Sequence, residues 1–258
     1  MIISDKHQFA FVHIPKCAGT SVRSLLEKFD DTNGAYGSKV IEIAGYGKVD
    51  VTHLPLSVLA ELAPRDFEKV RAYETFAIVR DPFERFFSAL AQHSKMYRDI
   101  EIAQMSGDEI KRSALSILNS LQASTNKYSH EFIHFAPQVD FVSWEGEQII
   151  KNMYPITATA TLILDIEKLT GEILGSVQHR NPTRVFHSQN TKTIALTGKR
   201  IVETLLPRTL SDPLRRLARE KLMSPTSHHL QDYGKDPDIS DFISCFYAED
   251  QRLFDKSL

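Results

Sequence analysis

Cysteine is scarce. Cys17 and Cys245 are the only two in 258 residues, and a pair so far apart, with no export signal ahead of them, makes no disulfide framework. A reducing cytoplasm is therefore the expected setting. Long hydrophobic runs are missing as well: nothing approaches the roughly 18 consecutive apolar residues of a membrane span, and the run Phe9–Ile14 is too short for the core of a signal peptide. Neither sign of charge is in excess. With 31 Lys and Arg against 33 Asp and Glu, the formal charge is -2, which argues against a protein whose main task is to coat nucleic acid or an anionic membrane. His134, His187 and the pair His228 and His229 have no spacing that makes a metal site, and no metal is expected. Repeats and low-complexity linkers are lacking too, so a single domain over residues 1–258 is expected.

What is present is an alternation of strand and helix signals. Phe9–Ile14 (FAFVHI) is apolar and rich in β-formers, Pro15–Gly19 breaks the pattern, and Thr20–Phe29 resumes at helical spacing with Val22, Leu25, Leu26 and Phe29. Val49–Thr52 reads as a strand and Pro55–Ala63 as a short helix, with His53 at their junction. Glu74–Val79 (ETFAIV) is a second buried strand, followed by a helix from Phe83 to about Tyr97 for which Asp81 and Pro82 are suitable starting residues. Asp108–Leu121 has an amphipathic helical pattern. Ala160–Ile166 (ATLILDI) reads as a third strand leading into a helix over Glu167–Leu174. The last third is helical in pattern, with Leu210, Leu214, Leu217 and Leu222 on one face of a basic helix and further helical spacing over Ile239–Phe254. The expected fold is α/β: a central, mostly parallel sheet covered by helices, with a helical C-terminal third.

Two strand-to-helix junctions carry residues suited to phosphate. In the first, Pro15-Lys16-Cys17-Ala18-Gly19-Thr20-Ser21, unpaired backbone N–H groups and the helix dipole favour an anion, Lys16 supplies a mobile cation, and Thr20 and Ser21 add hydroxyls. It is not the Walker A pattern, because Lys16 precedes Gly19. The plainer alternative makes Thr20 or Ser21 a helix cap and Lys16 a solvated residue. In the second, Arg80 is followed eight residues on by Ser88, two helical turns along, so a guanidinium and a hydroxyl can both address one phosphate. Its plainer alternative is an Arg80 paired with Asp81 or Glu84. Asp81, Glu84 and Arg85 read as an ion-pair and capping set. Cys17 has two readings, a thiolate favoured by the helix dipole or a small residue fitted beneath a bound phosphate.

The two segments are where a resemblance becomes specific. FVHIPKCAGTSV resembles the 5'-phosphosulfate-binding loop of sulfotransferases that use 3'-phosphoadenosine 5'-phosphosulfate (PAPS), and FAIVRDPFERFFSAL resembles their 3'-phosphate motif, in the same order. Both are similar to the carbohydrate sulfotransferase branch, which includes heparan sulfate 2-O- and chondroitin 4-O-sulfotransferases. VTHLPLSVL is similar to the family's segment carrying a histidine base, HFAPQVDFV to its Pro-Gln segment, and CFYAEDQRLF to its closing Tyr-x-x-Asp-x-x-Leu-Phe helix. The resemblance lies outside the stretch from about Asn152 to Asp238.

The resemblance implies a P-loop-like three-layer fold and sulfuryl transfer from PAPS to a hydroxyl, with a carbohydrate as the expected acceptor. It implies that Lys16 stabilises the leaving oxygen, that Cys17, Ala18, Gly19, Thr20 and Ser21 line the 5' end of the donor, and that Arg80 and Ser88 hold its 3'-phosphate. His53 is the expected base, since an attacking alcohol must lose a proton near neutrality; the alternative is a histidine that caps the helix at Pro55. His13, inside the first strand, reads as a packed side chain, with its proximity to the loop leaving a role there as the alternative. Between Gln178 and Lys221 ten Lys or Arg face three acids, a balance that suits either steering of an acidic glycan or a solvated helix face. A P-loop-like small-molecule kinase and a non-catalytic nucleotide-binding relative are the rival readings.

Overall fold

The structure, a computed structural model, describes residues 1–102, 105–123, 126–176, 184–186, 223–225 and 236–258. The chain divides into two compact units. One comprises Met1–Ala89, Leu118–Arg180 and Asp241–Leu258; the other comprises Leu90–Ile117 and Asn181–Ser240.

The first unit is built on a four-stranded sheet. Its strands are β1 (Ile2–Ser4), β2 (Phe9–Val12), β5 (Glu74–Val79) and β8 (Asn152–Pro155), adjacent in that order. β2, β5 and β8 run parallel, with Phe11 opposite Phe76 and Ala77 opposite Met153, while β1 pairs antiparallel to β2 at the edge. Every residue of β2 is buried, and so are five of the six in β5. Strands apolar on both faces belong in the middle of a parallel sheet with helices on each side. The crossover from β2 to β5 carries α1 (Gly19–Leu26), the hairpin of β3 (Val40–Ile43) and β4 (Gly47–Asp50), α2 (Leu56–Leu62) and α3 (Pro64–Ala72). After β5 comes α4 (Pro82–Arg98), and α5 (Gly107–Ala123) follows. The short α6 (Val139–Val142), the ribbon of β6 (Ser143–Trp144) and β7 (Glu147–Gln148), and α7 (Thr159–Thr170) surround β8 in sequence. Phe9, Phe11, Phe76, Val22, Leu59 and Ile166 belong to one continuous core. A mixed α/β architecture with a mostly parallel central sheet is thus observed.

In the second unit, Arg98 donates to Ser113 Oγ (2.6 Å) and Lys111 pairs with Asp236 (2.7 Å). The strands β9 (Arg184–Phe186) and β10 (Met223–Pro225) pair antiparallel. Helix α8 (Pro237–Phe246) begins in this unit and ends in the first, to which α9 (Ala248–Asp255) belongs. The basic stretch Gln178–Lys221 and the leucine-bearing segment for which a helix is expected lie outside the described residues, apart from β9. Among the described residues no helix is long and apolar enough to cross a membrane.

Three local expectations are corrected. Ala160–Ile166 is not a strand but the body of α7, whose buried residues Thr159, Leu162, Ile163 and Ile166 fall at helical spacing while Leu164 is 52% exposed. A short apolar run does not by itself separate strand from buried helix, and here Gly171, at φ 73°, ends the helix in a left-handed cap. The third parallel strand is instead β8, whose first three residues are half-buried and whose pattern is correspondingly weak. Val49–Thr52 is divided: β4 ends at Asp50, and Val51–His53 forms a 3-10 turn in which Asp50 Oδ1 accepts from the Thr52 N–H (2.9 Å). Ile239–Phe254 is broken at Tyr247 into α8 and α9.

Candidate active site

All the residues that the sequence singled out at the two junctions lie in the first unit. The loop between β2 and α1 is tightly wound, with Lys16 and Ala18 both at positive φ (67° and 59°), a conformation non-glycine residues adopt when the surroundings hold them there. Ala18 is the N-cap of α1 and no side chain caps the helix. The expectation that Thr20 or Ser21 serves as the cap is therefore not met: Thr20 is exposed inside the first turn and Ser21 is buried one residue further on. Gly19 has no room for a side chain. A β-carbon there would lie 2.1 Å from Cδ2 of His13, so the missing side chain admits an imidazole against the start of α1.

Lys16 is half-buried, and burial together with the nearby Arg80 guanidinium lowers its ammonium to about 8. Cys17 is 1% exposed, its thiol donating to Gln138 Oε1 at 3.3 Å. Burial pushes that thiol up to about 12. Desolvation thus outweighs any helix-dipole effect, and the thiolate reading of Cys17 is overturned.

Arg80 leaves the end of β5 and meets the first loop: its Nη1 donates to the Lys16 carbonyl at 3.4 Å, while Nε pairs with Glu84 at 3.1 Å. The plain pairing with Glu84 and the approach to Lys16 coexist. Asp81 caps α4 by accepting from the Glu84 N–H (2.9 Å), as its place before Pro82 predicts. Ser88 is half-buried on α4. Arg85 does not join that set. It is 1% exposed, pairs with the fully buried Asp250 of α9 at 3.5 Å, and donates to the carbonyls of His134 (3.2 Å) and Ala136 (2.8 Å).

His53 is buried, and its Nδ1 lies 2.9 Å from the His13 carbonyl. A carbonyl oxygen can only accept, so Nδ1 carries the proton and Nε2 keeps the basic lone pair. The N-cap of α2 is Pro55, so His53 does not cap that helix. Two further imidazoles adjoin it. The His13 ring centroid is 4.4 Å away and that of His134 5.6 Å, both edge-on. Burial holds all three neutral: His53 is lowered to about 4, His134 to about 3, and His13 well below the usual histidine value. Among the described residues no group of three or more His, Cys, Asp or Glu is arranged to hold a metal.

The model of the sulfotransferase family matches residues 1–257. The chain belongs to the sulfotransferase family. Among curated proteins it is similar to carbohydrate sulfotransferase 10 of Xenopus laevis, at 36% identity over 90 residues. That match covers 34% of this chain and 24% of the relative's length. No solved structure matches the chain.

In this member of the sulfotransferase family, two site neighbours escaped the sequence. His134, whose spacing from other histidines suits no metal, opens the segment HFAPQVDFV and lies buried beside His53. Gln138 lies in the same segment and is fully buried between the two junctions. The resemblance of that segment marked it without saying what it does.

Proposed function

We propose that this chain transfers a sulfuryl group from PAPS to a hydroxyl of a carbohydrate acceptor, on a P-loop-like three-layer framework. The observation that carries this reading is the contact between Arg80 Nη1 and the Lys16 carbonyl, which makes neighbours of two cationic junctions lying 64 residues apart in sequence. A nucleotide phosphorylated at both its 3' and 5' ends needs two such cradles side by side, and the residues fit it. Lys16, the main chain of Ala18–Ser21 and the Thr20 and Ser21 hydroxyls would hold the 5' end, with Cys17 packed beneath as a neutral thiol. Arg80 and Ser88 would hold the 3'-phosphate.

The donor supplies an activated sulfuryl group. The chain supplies position and charge: an O–S bond forms to the acceptor as the bond from sulfur to the bridging phosphate oxygen breaks, and the Lys16 ammonium donates to that leaving oxygen. The acceptor hydroxyl gives its proton to Nε2 of His53, the lone pair that the His13 carbonyl leaves available. A glycan or glycolipid hydroxyl is the acceptor class, supported by the similarity to a carbohydrate sulfotransferase.

Calorimetry tests the donor assignment. The chain is expected to bind 3'-phosphoadenosine 5'-phosphate without metal and in preference to Mg-ATP, and Arg80→Ala to weaken that binding by roughly 1.5 to 3 kcal/mol, the usual loss for a charged hydrogen bond. A preference for Mg-ATP would favour a kinase. Tight binding without turnover in a screen of glycan hydroxyls would favour a non-catalytic relative.

The pH dependence follows from the two shifted groups. His53 must be neutral to accept a proton, so activity is lost as pH falls through about 4. Lys16 must be charged, so activity is lost as pH rises through about 8. The expected profile of kcat/KM for the donor, which reports the free enzyme, is a plateau between those limits. An acid limb at the ordinary histidine value near about 6.5 would transfer the base role to a solvated group.

A further inference from the structure

We propose that Gln138 is a positioning residue that sets the spacing of the two anion loops and thereby the preference for a nucleotide bearing a 3'-phosphate. The inference rests on the donor reading above and assigns a task to the Pro-Gln segment, which that reading leaves idle.

Gln138 is 0% exposed, and its carboxamide is spent on the two junctions. Nε2 donates to the Arg80 carbonyl (2.8 Å), and Oε1 accepts from the Arg80 N–H (2.9 Å) and from the Cys17 thiol (3.3 Å). The side chain thus grips both polar groups around Arg80 much as a neighbouring strand would. A strand is not available for this. β5 ends at Val79 opposite Pro155, the last residue of β8, and proline has no N–H with which to continue the ladder. The same amide oxygen that closes the Arg80 junction holds Cys17, one residue beyond Lys16. One group therefore connects the place where α4 begins with the loop that leads into α1.

The amide is itself held from behind. Asp250 accepts from the backbone N–H groups of Gln138 (2.8 Å) and Val139 (3.0 Å), and Tyr247 donates to the Phe135 carbonyl (2.7 Å). Arg85 ties the same segment through the carbonyls of His134 and Ala136 while pairing with Asp250. With its backbone anchored on α9, the Gln138 side chain has little freedom to follow a displaced loop. Such support holds binding groups to the narrow geometric tolerance that two-point recognition demands. A ligand that touches both loops depends on the distance between them; a ligand that touches one does not.

The test compares 3'-phosphoadenosine 5'-phosphate with adenosine 5'-monophosphate by calorimetry on the wild-type chain, Gln138→Met and Gln138→Asn. Met keeps the length and loses every hydrogen bond; Asn keeps the amide but is one methylene too short to span both junctions. Each variant is expected to lose about tenfold or more in affinity for the doubly phosphorylated nucleotide, the scale of one or two hydrogen bonds, with less than about a twofold change for the monophosphate. An equal factor for both nucleotides, or none for either, would mean that Gln138 only stabilises the fold and would overturn the inference. Should Gln138→Met fail to fold, the Asn variant decides alone. If the wild-type chain itself does not distinguish the two nucleotides, it is the donor assignment that fails, before any variant is measured.

Discussion

Replacing Lys16 by alanine is expected to lower kcat by roughly a hundred- to a thousand-fold, the usual cost of removing one donor aimed at charge that develops in the transition state. The ammonium is half-buried in a loop whose backbone is held at positive φ on both sides of Cys17, and partial desolvation strengthens its interaction with a leaving oxygen relative to the same charge in water. The same desolvation, added to the Arg80 guanidinium, brings its proton loss to about 8. The group is thus charged at neutrality, close enough to its midpoint to respond to a growing negative charge. Donor affinity should fall much less than turnover, because the contact strengthens as the bridging bond breaks. Rates at saturating donor, measured beside calorimetry of 3'-phosphoadenosine 5'-phosphate, separate the two. A loss in kcat of less than threefold would remove Lys16 from the chemistry.

The second large effect is on stability. Asp250→Ala is expected to cost about 3 to 5 kcal/mol, the penalty for leaving one partner of a buried ion pair uncompensated. Arg85 and Asp250 are 1% and 0% exposed, so solvent does little to screen the loss. Burial raises the Asp250 carboxyl, and Arg85 and the N–H groups of Gln138 and Val139 act against that rise. Removing the carboxylate leaves the guanidinium, still bonded to the His134 and Ala136 carbonyls, without its counter-charge, and leaves both peptide donors without their acceptor. Urea unfolding followed by circular dichroism measures the difference, and a change below about 1 kcal/mol, within the range of an exposed pair, would show that water reaches the pair in solution. Because Asp250 anchors the Gln138 backbone, this substitution should also weaken binding of the doubly phosphorylated nucleotide in the fraction that folds. In that respect it follows Gln138→Asn.

Much of the framework could be read from local pattern. FAFV and ETFAIV are short, apolar and bounded by breakers, and both are strands of the parallel sheet. Asp81 and Pro82 start α4 as their chemistry predicts. The reading failed where local pattern is ambiguous or tertiary context decides. ATLILDI suits a strand by composition, yet packing on one face and a left-handed cap at Gly171 make it a helix. Cys17 suits a thiolate by its place before a helix, yet the core around it holds the thiol protonated. Arg85 suits an ion pair with its neighbours in sequence, yet its partner lies on α9.

The sequence by itself determined the two strand-loop-helix junctions, the cations they carry and the histidine near them, because hydrophobic period, breakers and caps act over a few residues. Only the tertiary structure decided that Arg80 meets Lys16, that His13, His53 and His134 share one buried cluster, and that Gln138 connects Cys17 to Arg80 while resting on Asp250. The Arg80–Lys16, Gln138–Cys17 and Gln138–Asp250 contacts cross 64, 121 and 112 residues of chain. Burial, which sets the protonation of Cys17 and His53, is a property of the packed neighbourhood and not of the adjacent residues.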